Sequence, residues 1–132
     1  MNKRKKTLQE TISEAAEPVA VEETTPASNL RANLDEIKTY EGVVGYILRN
    51  STSAAIDLKD PTKIIDYAIL SSTALDALKD LTELFGIGNP RSIIVEGQDV
   101  KMLSVVVDEN RTSVFMEKNA DCESILRKLR SV

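Results

Sequence analysis

No histidine occurs in this chain, and Cys122 is its only cysteine. That inventory excludes imidazole bases, thiol–imidazole pairs and Cys/His zinc cages, which carry most familiar enzyme chemistries. One cysteine cannot close an intramolecular disulfide, which fits a reducing compartment. An excess of basic charge is also missing: 17 Lys and Arg stand against 21 Asp and Glu, for a net charge of -4. No broad basic surface is therefore available to neutralise phosphates, and nucleic acid is not an expected partner. Apolar runs near the roughly 18 residues of a membrane span are absent, and the basic start MNKRKK leads into polar sequence and not a hydrophobic signal region. A cytoplasmic location is the expectation. Residue 2 is Asn, not Gly, so the N-myristoylation pattern fails as well.

What is present is enough for one domain: 132 residues, 42% of them hydrophobic. Composition changes near Ser28. Before it, Lys3, Arg4, Lys5 and Lys6 are followed by Glu10, Glu14, Glu17, Glu22 and Glu23 mixed with Pro18 and Pro26. Residues 1–28 read as a disordered charged tail and 29–132 as the folded domain. The basic head Lys3–Lys6 could touch an acidic lipid surface only weakly, because five opposite charges follow it.

The folded part reads as α-β-β-α-β-β-β-α, an α+β layer fold with a five-stranded antiparallel sheet covered by helices. Ser28 or Asn29 is the expected cap of a first helix carrying Leu30, Leu34 and Ile37 and ending at Gly42. VVGYILRN and SAAIDL form a hairpin across Ser51-Thr52. Asp60-Pro61 opens a long helix running to Phe85, with Asp60 as cap and the proline in the first turn. RSIIVEG, VKMLSVVVD and RTSVFMEKN follow as a meander turning at Gly97-Gln98-Asp99 and Asp108-Glu109-Asn110. A last helix over Asp121–Arg130 turns Ile125, Leu126 and Leu129 inward and carries Arg127, Lys128 and Arg130 near its C-terminus, where the dipole favours them.

The long helix has more apolar surface than one sheet face needs. Ile64, Tyr67, Ala68, Leu70, Ala74, Leu75, Ala77, Leu78, Leu81, Leu84 and Phe85 spread over about 200° of its circumference, against an ordinary stripe of about 100°. Ile65 and Ile69 add apolar groups on the other side, beside Ser72, Asp76, Lys79 and Glu83. The surplus is explained either by both terminal helices lying over this one or by a second chain; a second copy about a two-fold axis is the favoured reading. RSIIVEG is a candidate edge strand open to pairing with its own copy, unless Arg91 and Glu96 protect it.

ELFGIGNPRSIIVEG, residues 83–97, looks like a phosphate-cradling glycine loop, but its order is helix, glycines, strand. Phosphate would meet carbonyls and the negative end of the dipole, so a nucleotide site is rejected and Gly86 is read as a helix C-cap. Asp76, Asp80 and Glu83 lie about a turn apart, yet Lys79 sits among them and a charged surface explains them better than a metal or acid–base site. Asn50-Ser51-Thr52 and Asn110-Arg111-Thr112 fit the glycosylation pattern by chance in a chain without a secretory signal. Cys122 reads as a half-buried thiol, since Asp121 and Glu123 oppose any activation by the helix start. No catalytic residue, cofactor or metal is expected.

Leu34 to Asn50, LDEIKTYEGVVGYILRN, resembles the opening of Roadblock domains of the dynein light-chain type, where a helix leads through a glycine into a GVxG strand. A small-residue helix closing on glycines and an SxIIVEG-like strand continue the likeness over about residues 29–132, in the style of prokaryotic and archaeal members and bacterial motility-polarity GTPase regulators. Two departures stand out: Ser-Thr-Ser follows Asn50 in place of an Asp-Gly turn, and the second strand is short. The resemblance implies a homodimer, or a heterodimer with a paralogous Roadblock chain, with a continuous sheet; a Ras-like small GTPase as partner; and no bound cofactor. It assigns no contact residue. From exposure, the candidates are Ile65, Ile69, Ser72, Asp76 and Lys79 on the helix and Ser92, Ile94 and Glu96 on the strand. The competing functions are a scaffold subunit indifferent to nucleotide state and a small-ligand sensor.

Overall fold

The computed structural model describes residues 26–131. Helix α1 (Pro26–Ile37) leads into strands β1 (Val43–Arg49) and β2 (Ala54–Leu58). A 3-10 turn (Pro61–Lys63) opens helix α2 (Ile64–Leu84); strands β3 (Ser92–Glu96), β4 (Val100–Val107) and β5 (Asn110–Glu117) and helix α3 (Cys122–Leu129) follow. Element order therefore agrees with the sequence reading. Two details of α1 do not. Its last turn stops at Ile37, and 3-10 type bonds from Thr39 N to Glu36 O and Tyr40 N to Ile37 O then carry the chain to Gly42. Pro26, whose fixed φ suits a first helical turn, is already helical, so Ser28 and Asn29 lie inside the helix and not at its start. Of the expected charged tail, residues 1–25 lie outside the described residues.

All strand pairs are antiparallel, in the order β2-β1-β5-β4-β3, so β2 and β3 form the two edges. Alternation along the strands sends side chains to two different layers. Tyr46, Leu48, Leu103, Val105, Val114 and Met116 pack with Leu30, Leu34 and Ile37 of α1 and Ile125 and Leu129 of α3. Ile47, Met102, Phe115, Ile93 and Val95 pack on the other face with Tyr67, Ala68, Leu70 and Ala74 of α2. The result is a three-layer arrangement in which the sheet separates α2 from both terminal helices. Burial of α2 under those helices is thereby excluded as the account of its apolar surplus.

Specific contacts set how these layers meet. The Tyr67 and Phe115 rings stack with centroids 4.4 Å apart and planes at 15°. Ser113 Oγ lies 2.6 Å from both Ser71 Oγ of α2 and Ser104 Oγ of β4, so three buried hydroxyls satisfy one another between helix and sheet. On the opposite face the Tyr46 hydroxyl donates to Asp35 Oδ1 at 2.7 Å. Gly45 sits where the β1–β5 register shifts. A Cβ there would stand 2.3 Å from the Asp57 carbonyl oxygen and 2.7 Å from Leu58 Cα, at φ 148°, so β2 can approach β1 only because this residue is glycine.

Local chemistry explains both ends of α2. Asp60 Oδ1 accepts from Thr62 N at 3.1 Å and from its hydroxyl at 2.6 Å, ahead of Pro61 in the first turn. At the other end Ile87 N donates to Thr82 O and Gly86 N to Glu83 O, with Gly86 at φ 61°. This is a Schellman closure, and it satisfies carbonyls that a phosphate would have faced. The β1–β2 loop lacks an Asp-Gly turn because Asn50 organises it: Asn50 Oδ1 accepts from Thr52 N at 2.9 Å and Ser53 N at 3.0 Å.

Candidate interaction surface

Helix α2 packs one stripe on the sheet, with Tyr67, Ala68 and Leu70 half-buried at its margins, and leaves several further apolar residues in solvent. Ser71, Ala74, Leu75 and Thr82 are its buried positions, whereas Ala77, Leu81 and Leu84 are exposed. Ile69 is 61% exposed, Leu84 74%, Phe85 67% and Ile87 69%. At 100° per residue, Leu70, Ala77, Leu81 and Leu84 fall on one flank of the helix, and Ile65, Ile69, Ser72, Asp76 and Lys79 fall around its outward and opposite side. The five helix candidates are thus neighbours, as their spacing requires. A larger apolar strip, ending in Phe85 and Ile87, is not among the candidates. Its signal is in the 200° spread: the residues counted there beyond a single stripe are the ones the sheet does not reach.

Strand β3 is an edge strand, hydrogen-bonded on one side to β4. Ile93 and Val95 pack toward α2. Ser92, Ile94 and Glu96 alternate with them and lie on the face of the terminal helices, where Arg130 Nη2 reaches Ser92 Oγ at 3.5 Å. Ile94 is 52% exposed. The strand and helix candidates therefore occupy opposite faces of the sheet; the edge backbone of β3 lies between them.

Two residues on the polar side of α2 are tied to the sheet. Arg49 Nη2 donates to Ser72 Oγ at 3.0 Å, and Arg111 Nη1 lies 3.5 Å from Asp76 Oδ1. These contacts lie in an open cleft of about 460 Å³, lined by Arg49, Asn50, Ser51, Ser72, Asp76, Glu109 and Arg111. A second cavity, about 490 Å³, lies between the α1–β1 and β5–α3 turns and includes Tyr40, Glu41, Glu117, Asp121 and Ser124. Among the described residues no group of three or more Cys, Asp or Glu is placed to hold a metal ion. Asp76 of the considered acidic trio instead faces Arg111.

Titration of the described groups follows packing. Burial, and then the bond to Asp35, push the Tyr46 hydroxyl well above the usual tyrosine range, with Arg31 acting the other way. Burial likewise raises the Cys122 thiol, Lys101 opposes this, and Asp121, Glu96 and Glu123 add to it. A raised thiol at a helix start is not an activated nucleophile. Asp121 lies low because Ser124 donates to it from both hydroxyl and backbone, which is the N-cap of α3. No described helix is long and apolar enough to cross a membrane.

No family model matches the sequence, and no curated protein does. Solved structures do match. The Roadblock/LC7 domain from Streptomyces avermitilis has a TM-score of 0.62 at 14% identity, covering 79% of this chain and 88% of its own. The gliding protein MglB from Thermus thermophilus has a TM-score of 0.65 at 15% identity, covering 87% and 90%. An MglB in a tetrameric arrangement gives 0.64 at 15% identity over 87% and 90%. Each of these matches covers at least 79% of this chain, so the likeness is one of the whole fold: the chain has the Roadblock fold.

Proposed function

We propose that this chain is a dimeric, non-catalytic module that binds a Ras-like small GTPase and regulates or scaffolds it, in the cytoplasm. The observation that carries the reading is the apolar surface left on α2 and beyond it, from Ile65 and Ile69 through Leu81 and Leu84 to Phe85 and Ile87. A surface of this kind on a soluble domain is a contact surface. The open edge of β3 beside it offers backbone groups to a second β3, which extends the sheet through a two-fold pair. Self-association is in keeping with the tetrameric arrangement of the MglB similar to this chain. The GTPase partner comes from the resemblance to Roadblock domains. Ile65, Ile69, Ser72, Asp76 and Lys79 on α2, with Ser92, Ile94 and Glu96 on β3, are the proposed contacts; Leu81, Leu84, Phe85 and Ile87 join them. A paralogous Roadblock chain could take the place of the second copy.

Titration against small GTPases of the same organism, loaded with GDP or GTP, tests the reading. The expected result is tighter binding to one nucleotide state and an altered rate of hydrolysis. Binding indifferent to nucleotide state makes the chain a scaffold, and no binding to any of them removes the GTPase from the proposal.

A further inference from the structure

Arg49 and Arg111 are register partners on neighbouring strands, and both belong to the alternation that faces α2. Like charges directly opposite one another across a ladder repel, so such a pair is held in place at a cost unless an anion joins it. The protein supplies little compensation. Arg49 is half-buried, its hydrogen bond goes to a neutral hydroxyl, Ser72, and no carboxylate among the described residues pairs with it. Arg111 has Asp76 at 3.5 Å, an exposed carboxylate beyond good hydrogen-bond length. Both arginines line the cavity of about 460 Å³ beside α2; the exposed Glu109 lines it too. A guanidinium is a planar fork of donors that matches the geometry of an oxyanion.

We propose that Arg49 and Arg111, with the Ser72 hydroxyl between them and the helix, form an oxyanion site that accepts a carboxylate or a phosphate group. Asp76 is the internal competitor: while it faces Arg111 the site is partly closed, and an incoming anion displaces it. The anion is either an acidic side chain of a protein docked on α2 or free phosphate. Because the site is complete within one chain, it does not depend on the GTPase reading.

Inorganic phosphate and acetate, titrated separately into the isotope-labelled protein at constant ionic strength with chloride as balance, test this by NMR. Saturable shifts at the Arg49 and Arg111 side-chain N–H groups and at Ser72 are expected. Arg49→Gln and, independently, Arg111→Gln should each weaken binding by about tenfold, the worth of one charge-assisted hydrogen bond. Asp76→Asn should tighten it, an effect no merely structural role of Asp76 produces. Phosphate binding much more tightly than acetate assigns the site to free phosphate, and similar affinities assign it to a carboxylate. Shifts that chloride reproduces, or that survive both arginine substitutions, overturn the proposal.

Discussion

Ser71 of α2 and Ser113 of β5 share a hydrogen bond of 2.6 Å inside the helix–sheet interface, and Ser113 makes a second one to Ser104 of β4. All three residues are at most 2% exposed. Removing the central hydroxyl leaves two buried hydroxyls short of a partner. Ser113→Ala should therefore cost about 1–3 kcal/mol in urea unfolding, more than Ser→Ala at an exposed site. A double-mutant cycle with Ser71→Ala should show coupling between the two positions; additive losses would mean the bond contributes nothing.

Gly45 is the glycine least able to change. Its missing Cβ is what lets the Asp57 carbonyl approach, and its φ of 148° strains any side chain. Gly45→Ala should lower stability by about 2 kcal/mol or more and open the β1–β2 hairpin first. Hydrogen exchange at Lys59, whose N–H donates to Val44 O at 2.9 Å, would report that opening.

Charge placed on the exposed apolar residues of α2 or of β3 should separate a dimer without unfolding the chain. Leu84→Glu, Ile69→Glu and Ile94→Glu alter side chains more than half exposed, so far-UV circular dichroism should not change. Sedimentation mass should fall toward the monomer for those that lie in the contact. A wild-type chain sedimenting as a monomer at micromolar concentration would refute self-association.

Tyr46 should resist alkaline titration. Its ionisation lies above that of an unfolded tyrosine, about 10, because burial and Asp35 disfavour the phenolate. A raised folded value contributes stability that is complete below pH about 10 and is lost as pH rises beyond it. Of the three tyrosines, Tyr46 should ionise only as the protein unfolds, and ultraviolet difference absorbance against pH should show that step coincide with loss of structure. Tyr46→Phe should remove that step from the titration.

Periodicity and turn chemistry made most of the elements legible. Asp60-Pro61, Gly86, and the strand-forming run RTSVFME announce a cap, a stop and a strand through interactions of neighbouring residues, which is why the α-β-β-α-β-β-β-α order could be read directly. The apolar excess on α2 was legible too, as an excess. Which residues compose it was not: Leu81 falls within about 20° of Ala74 on the helix circumference, and only the extent of the sheet beneath decides that Ala74 is covered and Leu81 is not. The split of Ile94 and Ile69 onto opposite faces, and the meeting of Arg49 with Arg111 some 60 positions apart in sequence, depend on strand order and register. Sequence alone determined the local conformations, since these arise within a few bonds of each residue. Tertiary structure decided what each surface faces, because burial is a property of the space between elements and not of any one of them.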